Sequence, residues 1–221
     1  MPERTLMAAE PRLIDLTHRI DALTLPYPGD PAPELRPLCA VHSDGFALTL
    51  ASFTTHTGTH VDAPAHVLEG GRPLTDYSLE ELCGAALLVD LRGLTGPIGP
   101  EALEGAEPCG WLLLCTGQSA RWGTAEYFQN SPIFSEAFVR KAAGLARRGL
   151  ALDAAGLDRE GVALHRLWFE AGGGPVVENL RAPERLLEDF AAGRALFFTA
   201  APLKLDAADG APVRAFVRVG N

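Results

Sequence analysis

Eleven consecutive residues, HTGTHVDAPAH from His56 to His66, hold three of the chain's six histidines together with Asp62. Any fold that buries this stretch has to gather four ionisable groups, and packing alone gives no reason for doing so. Neutral imidazole and carboxylate are the usual ligands of zinc and manganese, and catalytic sites leave one coordination position open for water. His56, His60 and Asp62 form such a set. In a straight strand, positions four apart lie about 13 Å from each other, whereas metal–nitrogen bonds are about 2.0–2.1 Å. The chain must therefore bend between His56 and His60, and Gly58 is the residue there that accepts positive φ without penalty. A single helix-like turn brings side chains four apart to about 5–6 Å at Cβ. Asp62 projects from the same side if the chain leaves that turn extended. His66, beyond Pro64, suits a general acid or base beside the metal rather than a ligand to it.

The 221 residues suffice for one hydrophobic core, and a single domain over 1–221 is expected. Asp and Glu outnumber Lys and Arg by 28 to 19, which opposes binding to a polyanion, so nucleic acid is not an expected partner. No apolar run approaches the length of a membrane span, and the opening MPERTL lacks a basic segment followed by an apolar one. A cytoplasmic protein with no membrane association is expected. Cys39, Cys83, Cys109 and Cys115 form no C-x-x-C pair and are expected to be buried free thiols.

Alternation predicts a strand over 12–20, followed by a rigid loop in LPYPGDPAP. A strand over 46–55 is expected to deliver His56. SLEELCG at 78–84 reads as a short helix, and AALLVDL and GWLLLCTG as buried strands. SEAFVRKAAGLARRG, 135–149, reads as a helix with Ser135 as its N-cap and Gly149 as its stop. GVALHRLWFEAGGG reads as a shorter helix ended by glycines, PVVENL as a strand, and the last segment as two strands joined by a turn, with Val213, Ala215, Val217 and Val219 on one face. These elements make a one-domain α/β protein. Tyr27, Phe46 and Trp168 are candidate walls of an aromatic pocket.

The pattern H-x-G-T-H-x-D-x-P-x-H resembles the signature of the cyclase family, which contains bacterial kynurenine formamidase and isatin hydrolase. The resemblance extends through DLTHRI, YPGDP, LLLCTG, WGTAEYF, LALDAAGLD, VVENL and PLKLDAADGAPVRA. It implies a fold like the swivelling β/β/α domain, a homo-oligomer (dimer or tetramer), and an arylformamidase-like metal-dependent amidohydrolase with one or two Zn²⁺ or Mn²⁺ ions. By resemblance His56, His60 and Asp62 match metal ligands, His66 the catalytic histidine, and His165 and Glu178 a second group of ligands. The expected reaction is hydrolysis of a small amide, either an N-formyl arylamine such as N-formylkynurenine or a cyclic amide, by metal-activated water. A cyclase or dehydratase on the same metal site and a non-catalytic metal-dependent binding protein are the alternatives. Thr59 and Val61 stand where the formamidase pattern tends to carry alanine, and Tyr27 where it carries tryptophan.

Overall fold

The computed structural model describes residues 12–220; the reading of the first six residues and the outer ends of the expected domain lie outside them. The described residues hold strands β1 (Arg12–Asp15), β2 (Glu34–Cys39), β3 (Leu48–Ser52), β4 (His60–Asp62), β5 (Cys83–Asp90), β6 (Pro97–Ile98), β7 (Cys109–Cys115), β8 (Ile133–Phe134), β9 (Ala146–Leu152), β10 (Val176–Glu178), β11 (Leu196–Pro202) and β12 (Gly210–Val219). The helices are α1 (Val41–Asp44), α2 (Glu126–Gln129), α3 (Glu136–Leu145), α4 (Ala163–Glu170) and α5 (Glu184–Ala191).

Strands β4, β10, β9, β7, β5, β11 and β12 are hydrogen-bonded in that order, and β12 pairs back onto β4, so the sheet closes into a barrel. β5, β7, β9 and β10 are mutually parallel, and the other pairings of the ring are antiparallel. Long β12 makes the closure possible. Its first residues, Gly210 to Pro212, pair with β4, and its far half pairs with β1 along the same edge.

Alternate residues of a strand face opposite ways, and the two faces fill two cores. Trp111, Leu113, Ala151, Val177, Phe198 and the expected row Val213, Ala215, Val217 and Val219 fill the ring. Leu112, Leu114, Leu150, Leu152 and Val176 face outward, under Phe138 and Val139 of α3 and Trp168 of α4. The fold is thus α/β around a closed sheet, with helices covering its parallel part.

The expected elements are modified in several places. Ser135 caps α3 by accepting from the Phe138 amide, but the helix ends at Leu145 and β9 begins at once. Leu150 and Leu152 face the helix-covered core while Ala151 faces the ring, so burial on both faces overrides the helical periodicity of 135–149. Residues 78–82 form turns rather than a helix. β3 is shorter than expected and pairs only with β2, in a hairpin on which no residue is buried. Phe46 is 55% exposed beyond that hairpin's helix α1.

Phe198 is fully buried with its ring 5.0 Å from that of Trp111 in the barrel interior. Phe198→Ala is expected to lower the unfolding free energy by about 3–5 kcal/mol. Urea denaturation checks this, and a change under about 1 kcal/mol would mean that the interior repacks around the loss.

Candidate metal centre

The turn after β3 bends where the sequence requires it, with Gly58 at φ 66°. The bend brings the His56 and His60 rings to 5.0 Å between centroids. Its exit is extended strand, so His60 and Asp62 share one face of β4 while Val61 points into the barrel. The antiparallel register then does the assembly: Glu178 lies directly opposite His60, on the same face. Thr59 secures the junction, accepting from the His18 amide at 2.9 Å and donating to the Asn179 carbonyl at 2.6 Å.

His165 arrives from the other direction. It sits on α4, which ends at Glu170; the chain then turns at Gly172 (φ 84°) and doubles back into β10. That return is tight, because a Cβ on Gly174 would lie 1.7 Å from the Arg148 carbonyl oxygen. The three glycines are needed for this reversal, and Trp168, which donates to the Gly174 carbonyl at 2.7 Å, is buried core rather than pocket wall.

Five of the expected residues thereby converge. Asp62 Oδ1 lies 2.8 Å from His56 Nδ1 and 3.2 Å from His60 Nε2, and Oδ2 lies 3.6 Å from His165 Nε2. Glu178 reaches His165 Nε2 at 2.7 Å and His60 Nε2 at 3.5 Å. His60, Asp62, His165 and Glu178 are all buried. His66 stands beside them, its ring 4.1 Å from that of His56 and 6.3 Å from that of His165.

Each histidine of the cluster turns one nitrogen toward the carboxylates, while an oxygen from outside the cluster engages the other. Those outer partners are the Gly58 carbonyl for His60, Asp158 for His165 and Asp209 for His56. A proton fixed on the outer nitrogen leaves the inner lone pair aimed at the carboxylate oxygens, which is the arrangement a divalent cation needs. The donor set, nitrogen and carboxylate oxygen only, suits zinc or manganese.

The electrostatics carry the same mark. Burial opposes a charge on His56, yet Asp62 and Asp209 hold its pKa up to about 9. Burial opposes His165 too, and Glu178 and Asp158 hold it up to about 10. Burial acts on Asp62 in the raising direction, but His60 and His56 hold it well below the usual carboxylate range. His66 goes the other way, pushed below the ordinary histidine value by burial and by the neighbouring His56 and His165.

The cluster forms one wall of a pocket of about 400 Å³ whose other lining includes Leu25, Tyr27, Trp122, Phe128 and Val162. Tyr27 is therefore placed as expected. A larger cleft of about 730 Å³, lined by His18, Arg19 and Arg181 among others, shares only Trp122 with this pocket and holds none of the clustered groups. His18 stacks on Trp122 at 4.2 Å, and His42 is exposed; neither joins the cluster.

Sequence reasoning missed Asp158, Asp209, Asn179 and Tyr127. Asn179, at φ 56°, donates to the Gly58 carbonyl and accepts from the Tyr127 hydroxyl at 2.7 Å. The two aspartates lie within LALDAAGLD and PLKLDAADGAPVRA, so the signal was present but looked like ordinary turn chemistry.

Fold and site together define an α/β protein built on a closed sheet, with a buried histidine–carboxylate cluster opening onto a partly apolar pocket. The family model described as "Putative cyclase" matches residues 14–159, and the chain belongs to that cyclase family. It is 30% identical over 175 residues to kynurenine formamidase of Bacillus cereus, covering 76% of this chain and 78% of that protein. A solved structure described as a predicted metal-dependent hydrolase from Bacillus stearothermophilus superimposes with a TM-score of 0.75 at 27% identity, covering 95% of this chain and 98% of that one. An isatin hydrolase bound to the product analogue thioisatinate shares the fold, with a TM-score of 0.81 at 19% identity and coverage of 98% and 95%.

A cation entering the cluster has to displace the protons held by His56 and His165. Zinc affinity is therefore expected to rise with pH between about 6 and 8, with net proton release on loading. Chelator competition at several pH values, together with calorimetry in buffers of different ionisation enthalpy, checks this. Affinity independent of pH would mean that ions bind elsewhere.

Proposed function

We propose that this protein is an amidohydrolase that cleaves the C–N bond of a small amide, an N-formyl arylamine such as N-formylkynurenine or a cyclic amide such as isatin. The observation that carries this reading is the position of His66, at the wall of a pocket that admits a ring and beside the cluster, its ring 4.1 Å from that of His56 and 6.3 Å from that of His165. In this reading His56, His60, Asp62, His165 and Glu178 hold one or two zinc or manganese ions. Asp62, with one oxygen toward His56 and His60 and the other toward His165, supports two.

A divalent cation bound there supplies Lewis acidity toward the amide carbonyl and toward the attacking water. The chain's own residues do the remainder. His66, held below the ordinary histidine value by burial, takes a proton from the attacking water and returns it to the departing nitrogen. Leu25, Tyr27, Trp122 and Phe128 form an apolar wall that orients the ring and excludes bulk water.

A single catalytic domain acting as a dimer or tetramer belongs to the same proposal. The β2–β3 hairpin supports it, with Leu35, Leu38, Val41, Phe46 and Leu48 each at least 43% exposed. A lone two-stranded hairpin is marginal in water, and an apolar one gains from a second copy of the chain. No described helix is long and apolar enough to cross a membrane. Four free cysteines support a reducing, cytoplasmic setting.

The test is an assay of zinc- and manganese-loaded protein on N-formylkynurenine and isatin; no turnover of either would refute the substrate assignment. His66→Ala is expected to retain its metal and lose about 10²- to 10⁴-fold in turnover, whereas His60→Ala is expected to lose the metal itself. Equal loss of metal in both variants would move His66 into the ligand set. A Phe46→Ser/Leu48→Ser variant is expected to shift toward monomer in light scattering, and an unshifted mass would place any interface elsewhere.

A further inference from the structure

We infer that Asp209 is a positioning residue shared by the two halves of the site: one carboxylate oxygen that fixes the ring of His56 on the metal side and the ring of His66 on the proton-transfer side. Its Oδ2 accepts from His56 Nε2 at 3.0 Å and lies 3.5 Å from His66 Nδ1. Its Oδ1 accepts from the Thr55 hydroxyl at 3.0 Å. The two imidazoles lie close enough, 4.1 Å between centroids, for a single acceptor to serve both.

The surroundings hold this carboxylate in place. The Asp209 carbonyl accepts from the Ala63 amide at 2.8 Å, immediately after the Asp62 that faces the histidines. Gly210 pairs with Asp62 across the barrel closure, and a Cβ there would lie 2.7 Å from the Val61 carbonyl oxygen and 3.0 Å from His56 Cε1. The backbone at 209–210 therefore has to run directly against the histidine cluster, which is how an aspartate more than 140 residues away in sequence comes to touch it.

A neutral imidazole has one N–H and one lone pair, and an acceptor on one nitrogen decides which is which. With Asp209 holding a proton on His56 Nε2, the lone pair of Nδ1 faces Asp62. With Asp209 holding a proton on His66 Nδ1, Nε2 is left to accept one. When Nε2 takes the proton of the attacking water and hands it to the leaving nitrogen, the ring returns to its Nδ1–H form and Asp209 stays ionised throughout. Its negative charge stabilises the transient imidazolium.

The His66 half of this inference rests on the proposed hydrolysis, so the test includes a readout that needs no turnover. Asp209→Ala and the near-isosteric Asp209→Asn are made alone and with His66→Ala, loaded with saturating Zn²⁺ and assayed on N-formylkynurenine. Zinc affinity is measured by chelator competition, and the His66 tautomer by long-range ¹H–¹⁵N spectra of the zinc-loaded protein. Asp209→Ala is expected to lose about 10- to 100-fold in zinc affinity and a comparable factor in turnover at saturating zinc. It is expected to cost no further turnover in the His66→Ala background, because the two residues act as a unit. His66 should carry its proton on Nδ1 in the wild type and lose that preference in the variant. Should Asp209→Ala fail to fold, Asp209→Asn carries the comparison, with the same directions expected. Unchanged zinc affinity overturns the His56 half, and equal turnover losses in both backgrounds overturn the His66 half. A wild-type His66 protonated on Nε2 overturns the latter even if no amide is hydrolysed, which separates failure of this inference from failure of the hydrolase reading.

Discussion

Asp62 is 1% exposed, and a carboxylate in that position is stable only if both oxygens are satisfied by charge or hydrogen bonds. Three histidines meet that demand, two on Oδ1 and one facing Oδ2. His56 and His60 come from the same turn and strand as Asp62 and His165 from α4, and the bend at Gly58, the register of β4 against β10 and the reversal after α4 bring them within a few ångströms. A second buried carboxylate, Glu178, lies opposite His60 and raises the local negative charge further. The result is a buried histidine–carboxylate cluster built into the surface of a closed sheet.

The barrel gives this arrangement its rigidity. β4 is only three residues long, yet it is hydrogen-bonded on one side to β10 and on the other to β12. A strand so short held at both edges cannot slip, because a shift of one residue would turn His60 and Asp62 into the hydrophobic interior and Val61 out of it. The packed ring thus fixes which face carries the chemistry. The same closure brings Asp209 against the outer nitrogen of His56, so the strand that completes the barrel also completes the ring of outer oxygens around the histidines.

Much of the site was legible in eleven residues, since His56, His60, Asp62 and His66 fall within one motif whose glycine and proline dictate a bend. His165 and Glu178 were reached through family resemblance, with the glycines between them permitting the approach. Asp158, Asp209 and Asn179 were not reached, because an aspartate or asparagine near a glycine or at a strand end reads as turn chemistry in any sequence. Fold-level errors had a similar origin. Residues 146–149 continue a helical pattern, and only burial on both faces of a parallel sheet makes them the start of a strand. The segment 78–84 has helical composition without the length to sustain a helix against its neighbours. Trp168 and Phe46 show the converse problem, since aromatic side chains suit a pocket, a core or an interface equally until packing assigns them.

The sequence by itself determined the chemistry on offer: nitrogen and carboxylate donors at a spacing that only a bent backbone can use, a neighbouring histidine set apart by a proline, and an alternating C-terminal strand with one apolar face. Those properties are local, set by side-chain type, by backbone freedom at one glycine and by the period of two along a strand. Tertiary structure alone decided which distant carboxylates join them. Register pairing placed Glu178 across from His60, and barrel closure placed Asp209 on His56, because cross-strand contacts depend on how the whole ring packs and leave no mark in the residues that will meet.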